Sequence, residues 1–279
     1  MTLAPGLLGT QSPPAEFSWT ADDVTLYALA VGAGHDDPAR DLAYTTENTG
    51  GVELAVLATY ANIITRGARV DFGDYDPARL VHAEQSFRLH GPLPPAGRAV
   101  TTATVTQVLD KGRAALIRTE ATAVDAATGA PLATTAQTVF ISGEGGFGGP
   151  RGESAPSPVP DRAPDEVVTV RTRPEQALLY RLTGDRNPLH SDPAFAARGG
   201  FPRPILHGMC TYGFAGRVLL DRVCQGNPAR FAGMEARFTR PVLPGDELTV
   251  SIWRDGQAAY FRTARDGDTV LDRGRLDLN

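Results

Sequence analysis

Residues 180–190 read YRLTGDRNPLH, and within them Asp185 and His190 are five positions apart. On an α-helix that spacing sets two side chains about 140° apart, so they could not converge on one substrate. Gly184 and Asn187-Pro188 break the helix, because the residue before a proline is pushed out of the α region. A turn there folds the carboxylate and the imidazole toward each other, and a His–Asp pair sharing one water suits proton movement near neutral pH. The same string is also good turn chemistry, with Asp185 and Asn187 able to cap their own backbone, so local physics alone supports a purely structural turn equally well. Asp192-Pro193, after Ser191, reads as the start of another short helix.

Further on, Pro204 leads into ILHGMCTYGFAGRVLLDRV, residues 205–223, and Gly226-Asn227-Pro228 follows it. Those start and stop signals predict a helix over Ile205–Val223, about five turns long. Gly208 falls in its first turn, where backbone N–H groups lack intrahelical partners and can receive an oxyanion or polarise a carbonyl. Gly208, Gly213, Ala215 and Gly216 also let such a helix lie close against a sheet. His207 is a candidate substrate contact, although a helix-terminal or core histidine is the commoner role.

Outward from this core the chain divides. Residues 143–164, GEGGFGGPRGESAPSPVPDRAP, are too rich in Gly, Pro and Ser for a helix or central strand. A linker there separates an N-terminal unit, 1–142, from a C-terminal unit, 165–279. Each unit opens with a helix-like segment, Asp22–Val31 and Pro174–Leu182. The local strings are related, Tyr27-Ala-Leu29 then Gly32 against Tyr180-Arg-Leu182 then Gly184. Each ends in strands: Leu80–Leu89, Ala99–Leu109, Arg113–Asp125 and Pro131–Ile141, then Arg230–Arg240, Glu247–Trp253, Ala258–Thr263 and Thr269–Leu278. The pattern predicts an α+β architecture with a weak internal duplication. Residues 52–65, where the first unit would carry its long helix, are shorter and β-branched, so any helix there is short.

Composition narrows the function. The 279 residues are 42% hydrophobic and 21% charged, enough for a substantial core. With 27 Lys plus Arg against 32 Asp plus Glu, net charge −5, the chain lacks the basic surface of a nucleic-acid binder. Lys111 is the only lysine, which confines any Schiff base to that position. Two cysteines, Cys210 and Cys224, are too few for a disulfide framework or a Cys-rich zinc site. The 5 histidines show no metal-binding spacing, and G-E-G-G-F-G-G lacks the Lys-Ser/Thr of a phosphate loop. No apolar run approaches a membrane span. No basic leader precedes Arg40, and Leu276-Asp-Leu-Asn279 is not a peroxisomal address, so a cytoplasmic protein is expected.

The run from Tyr180 to His190, followed by P-I-L-H-G-M, resembles the hydratase 2 motif of MaoC-like (R)-specific enoyl-CoA hydratases. The first unit is similar to the amino-terminal part of two-hotdog hydratases through Y-A-L-A-V-G-A-G at 27–34, V-H-A-E-Q at 81–85, P-L-P-P-A-G at 92–97, V-L-D-K-G at 108–112 and G-G-F-G-G at 145–149. The resemblance implies a double hotdog: two antiparallel sheets, a long central helix in the C-terminal hotdog and a shortened one in the N-terminal hotdog, leaving room for a bulky acyl chain. It implies hydration of a trans-2-enoyl-CoA to the (R)-3-hydroxyacyl-CoA, as in fatty-acid or sterol side-chain β-oxidation. Asp185 and His190 match the catalytic pair, Asn187 the residue that steadies it, and the Gly208 N–H the group receiving the thioester oxygen. Glu47 matches a glutamate near the substrate, although surface solvation is the ordinary role of such a residue. His82 and Gln85 sit in a matching strand motif, where tunnel wall and sheet packing are equal alternatives. Arg198, Arg203 and Arg240 flank the motif or the strand after the helix, and none is singled out for CoA. No cofactor or metal is implied, and a homodimer is expected. A dehydratase on an acyl-carrier or secondary-metabolite thioester and a non-catalytic acyl-CoA-binding subunit stay open; a hotdog thioesterase would lack the G-D-x-N-P-x-H string.

Overall fold

The computed structural model describes residues 2–153 and 156–279; Met1, and Ser154 and Ala155 of the expected linker, lie outside the described residues. A small sheet pairs β1 (Thr2–Leu3) with β3 (Gly73–Asp74). The first half otherwise contains β2 (Ala15–Trp19), α1 (Ala21–Ala30), α2 (Leu42–Thr45), α3 (Ala61–Ile64), β4 (Leu80–Leu89), β5 (Gly97–Asp110), β6 (Ala114–Asp125) and β7 (Pro131–Ser142). The second contains β8 (Glu166–Arg171), α4 (Gln176–Tyr180), α5 (Pro193–Arg198), α6 (Gly208–Arg222), β9 (Phe231–Phe238), β10 (Glu247–Asp255), β11 (Ala258–Arg265) and β12 (Asp268–Leu278).

Ten strands form one antiparallel sheet in the order β2-β5-β6-β7-β4-β9-β12-β11-β10-β8. Read inward from either edge, each half repeats the same arrangement, ending on the strand that follows its central helical segment. The two expected sheets therefore share one edge. There β4 pairs with β9, Glu84 opposite Arg237 and Arg88 opposite Gly233, and the Arg237 guanidinium donates to the Glu84 carboxylate at 2.6 Å. Along β5 the T-T-A-T-V-T alternation turns every second side chain inward, as the pleat requires.

Local chemistry sets the helix ends. Thr20 and Asp23 form a reciprocal capping box at the start of α1. Asp192 caps α5 through the amides of Ala194 and Phe195. The long helix begins at Gly208, not at Ile205. The amides of Ile205 and Leu206 instead donate to the carbonyls of Leu189 and Val242, and so tie the 180–190 segment to the stretch after β9. Its residues 210–216 are all buried, as expected of a helix enclosed on every side. The small residues work differently from the expectation. A side chain at Gly213 would collide with Val31, and one at Gly216 would come within 2.6 Å of Thr59. They admit the first half's helices as much as the sheet.

In the first half the helical stretch is short: α3 is flanked by 3-10 turns at Ala58–Tyr60 and Thr65–Gly67. Val56, Leu57, Tyr60 and Ile64 from this region are all buried in the core. Burial of each such side chain contributes roughly 1.5–3 kcal/mol. Residues 143–165 contain no regular element among those described, yet they are tethered. The Asp110 carboxylate accepts from the amides of Gly146 and Gly148, and Trp253 donates to the Arg162 carbonyl.

Candidate active site

The string 180–190 folds as a helix end followed by two nested turns. After α4 a 3-10 turn, Arg181–Thr183, ends at Gly184, whose φ of +111° lies in the region that favours glycine. The Asp185 carboxylate accepts from the Asn187 amide at 3.2 Å, and the Asn187 side chain accepts from the Leu189 amide at 3.0 Å. Asn187 itself is exposed, and its side chain caps the turn that follows it.

That geometry brings three side chains together: a carboxylate oxygen of Asp185 and one ring nitrogen each of His190 and His207 lie within 4.8 Å of one another. Two polar atoms at such a separation can share a single water, each at ordinary hydrogen-bond length. His190, 9% exposed, donates from Nδ1 to the Ile205 carbonyl at 2.9 Å, which leaves Nε2 as an acceptor. His207, 1% exposed, donates from Nε2 to the Asp185 carbonyl at 3.2 Å. Its Nδ1 is buried and has no hydrogen-bond partner among the described residues. Burial pushes both imidazoles toward the neutral form, and for His207 the neighbouring His190 adds to this. Each ring thus has one nitrogen committed to a carbonyl and, among the described residues, the other free.

Gly208 is the first residue of α6, and the first helix amides with backbone acceptors are those of Cys210 and Thr211, both on His207. The Gly208 N–H is thus one of the unpaired donors at a helix start. A side chain there would press on the Phe238 ring, 3.2 Å away.

The first half supplies one wall. His82 packs on Phe238, ring centroids 4.7 Å apart, and donates from Nε2 to the Glu84 carbonyl. Burial lowers its pKa to about 4, against the opposing influence of its hydrogen bonds and of the Asp185 charge. Gln85 is buried on β4, three positions after His82, and donates to the Asn62 side chain at 2.6 Å, while Asn62 donates to the Thr59 carbonyl. Gln85 therefore joins β4 to the α3 segment, and none of its described hydrogen bonds reaches Asp185 or His190. Glu47 stands exposed beyond α2, whose cap residue Asp41 is bound to Arg217 at 3.3 Å; none of its described contacts reaches the dyad. Of the arginines considered for CoA, Arg240 pairs with Asp268 and Arg198 lies over the Phe195 ring, while Arg203 is exposed.

Phe238, against Gly208, Asn62, the partner of Gln85, and Arg66, which donates to the Thr183 carbonyl beside Asp185, are not legible from the local sequence. All three come from elements remote in sequence, and only their placement by the fold reveals them.

This fold and loop define a class. A model of the MaoC-like domain matches residues 156–272, and one of the MFE-2 hydratase 2 N-terminal domain matches residues 17–143. The chain is 44% identical over 290 residues to 3-hydroxyacyl-thioester dehydratase Y of Mycobacterium tuberculosis, covering 99% of both. It is 35% identical over 290 residues to the peroxisomal enoyl-CoA hydratase 2 of Arabidopsis thaliana, covering 98% of this chain and 94% of the relative. The structure of full-length peroxisomal multifunctional enzyme type 2 from Drosophila melanogaster superposes with a TM-score of 0.85 at 33% identity, over 96% of this chain and 48% of that one. The chain belongs to the MaoC-like hydratase 2 family of double-hotdog hydro-lyases.

Proposed function

We propose that this protein adds water to a trans-2-enoyl-CoA to give the (R)-3-hydroxyacyl-CoA, with the Asp185–His190 pair and the Gly208 amide as its working parts. The observation that carries this reading is the fixed tautomer of His190. Because Nδ1–H is held by Ile205, Nε2 offers a lone pair, and the Asp185 carboxylate offers a second acceptor nearby. A water donating one hydrogen to each has its own lone pair free for Cβ of the substrate. As the C–O bond forms, one of the two groups takes the water proton, and a proton passes to Cα, so the protein ends as it began. The thioester draws electron density onto its carbonyl oxygen, where the Gly208 N–H and the positive end of α6 meet the developing charge. One such donor is worth on the order of 3 kcal/mol.

The reverse dehydration uses the same parts, since each step is reversible. Neutral His190, enforced by burial, is the form both directions start from. The short α3 and the segment ahead of it are the proposed seat of the acyl chain, which enters by shifting the residues around Val56 and Leu57. A homodimer and a cytoplasmic setting complete the proposal; the first rests on the family resemblance and is checked by sedimentation. The test of the activity is hydration of trans-2-enoyl-CoAs of increasing chain length, followed by loss of the enoyl-thioester absorbance with the alcohol's configuration resolved. Turnover to the (R)-alcohol supports it, and no turnover at any length removes it.

A further inference from the structure

Two arginines cross between the halves in opposite directions. Arg66, in the 3-10 turn that ends the α3 segment, donates from Nη2 to the Thr183 carbonyl at 2.7 Å. Arg217, within α6, donates from Nε to the Val31 carbonyl at 3.2 Å. Each acceptor lies at the end of the helix that opens the opposite half, α4 with its 3-10 turn in one case and α1 in the other. Arg66 lies as far ahead of Leu80, where β4 begins, as Arg217 lies ahead of Phe231, where β9 begins. Tyr27 and Tyr180, near the ends of those two opening helices, pack on each other with centroids 6.3 Å apart. The arginines are counterparts under the internal repeat.

They secure unlike ends. Arg217 is also paired with the Asp41 carboxylate, and the loop it grips, Gly32–Asp37, lacks the G-D-x-N-P-x-H string. Arg66 makes no ion pair among the described residues, so its geometry is set by Thr183 and by Gly184 beneath it. A Cβ on Gly184 would collide with Nη2 of Arg66, so this glycine serves both its positive φ and the seat of the guanidinium. The next residue is Asp185.

We infer that Arg66 is a positioning residue for the reaction: the half without the motif supplies the guanidinium that fixes the Thr183–Gly184 backbone and thereby aims the Asp185 carboxylate. This rests on the hydratase reading above. No regular hydrogen-bonded element spans Gly184–Asn187; the Asn187 amide holds the Asp185 carboxylate and His207 its carbonyl, and Arg66 supplies the anchor at the Thr183 end. A misplacement of about 1 Å in such a group can cost roughly a hundredfold in rate.

The experiment compares full-length wild type, Arg66→Ala, Arg66→Lys and Arg217→Ala. Turnover on a trans-2-enoyl-CoA and amide hydrogen exchange across residues 183–187 are measured for each. For Arg66→Ala the expected result is a fall of at least about tenfold in kcat with KM within about twofold. Added ethylguanidinium at tens of millimolar should restore part of the rate, which no general loss of stability would allow. Exchange at Gly184–Asn187 should quicken. Arg66→Lys should fall between, because an ammonium keeps the charge but lacks the planar fork. Arg217→Ala should keep kcat within about twofold, since its loop carries no chemistry. A folded Arg66→Ala with unchanged kcat and unchanged exchange overturns the inference, as does a rate loss that ethylguanidinium cannot relieve while exchange stays at the wild-type level. Absence of turnover in the wild type would count against the hydratase reading alone; the exchange comparison would then still uphold or overturn the hold of Arg66 on the loop.

Discussion

The imidazoles of His190 and His207 lie face to face, ring centroids 3.7 Å apart and planes 28° from parallel. His190 is bound to the carbonyl of Ile205 and His207 to that of Asp185, so the stack connects the helix start to both ends of the 185–190 segment. Two protonated rings at that distance would repel by on the order of 4 kcal/mol at an effective dielectric constant near 20. Burial already disfavours the first proton, so the stack works as a neutral pair.

Activity should therefore depend on pH in one direction. His190 must be neutral to accept a hydrogen from water, and its pKa lies below the ordinary 6.5. The acid limb of kcat/KM should have its midpoint below 6.5, as a pH–rate profile will show. A midpoint above that value would mean that His190 is stabilised as a cation and cannot be the water's acceptor.

Stability should follow the same sign. His82, His190 and His207 all bind protons more readily in the unfolded chain, because burial lowers their folded pKa values. Their contribution is fully present above the unfolded value of 6.5 and is lost as pH falls toward about 4, the value for His82. Thermal melts across that window should show a falling Tm, and His82→Phe should flatten part of the slope.

Asp185→Asn and His190→Ala should each lower kcat by about 10²–10⁴, the range for a positioned acid or base. Binding of a saturated acyl-CoA should change little, because neither side chain is proposed to hold the CoA. Kinetics paired with calorimetric titration separates the two effects. Unchanged turnover in both variants would return the loop to a purely structural role.

The Gly208 donor can be deleted without changing a side-chain charge. Proline is tolerated at the first position of a helix, and His207 before it has ψ 132°, as a residue preceding proline requires. Gly208→Pro should retain its helix by circular dichroism, with the Phe238 ring giving way slightly, and should lose about 10²–10³ in kcat. A variant that keeps its rate would show that another group receives the thioester oxygen.

Gln85→Leu tests a different role. It leaves the buried Asn62 carbonyl without its donor, which should destabilise the fold by about 1–3 kcal/mol. Denaturant melts measure that loss, and kcat of the folded fraction should stay close to wild type.

The eight strands bounded by turn residues were legible because alternation and Pro-Gly-Asp or Asp-Gly-Asp breaks mark them directly. The edge strands β2 and β8 were not: each is short, and neither is announced by a turn before a long alternating run. The helix start was placed early, since Ile205 and Leu206 look helical but commit their amides to Leu189 and Val242, contacts that only the tertiary fold creates. The same distinction holds in the site. Asp185, Asn187 and His190 are neighbours in sequence and could be read there, as could Gly208 after its proline. Arg66, 117 positions from Thr183, left a single trace in the string, a glycine at 184 whose lack of a side chain has two causes.

The central claim concerns a water held between Asp185 and His190, and the most direct test is the addition of labelled water to a trans-2-enoyl-CoA by wild type and by Asp185→Asn. Wild type should place the label on C3 of the (R)-3-hydroxyacyl-CoA, and the variant should do so at least about a hundredfold more slowly with acyl-CoA binding intact. An (S)-alcohol, or a variant as fast as wild type, would contradict the account.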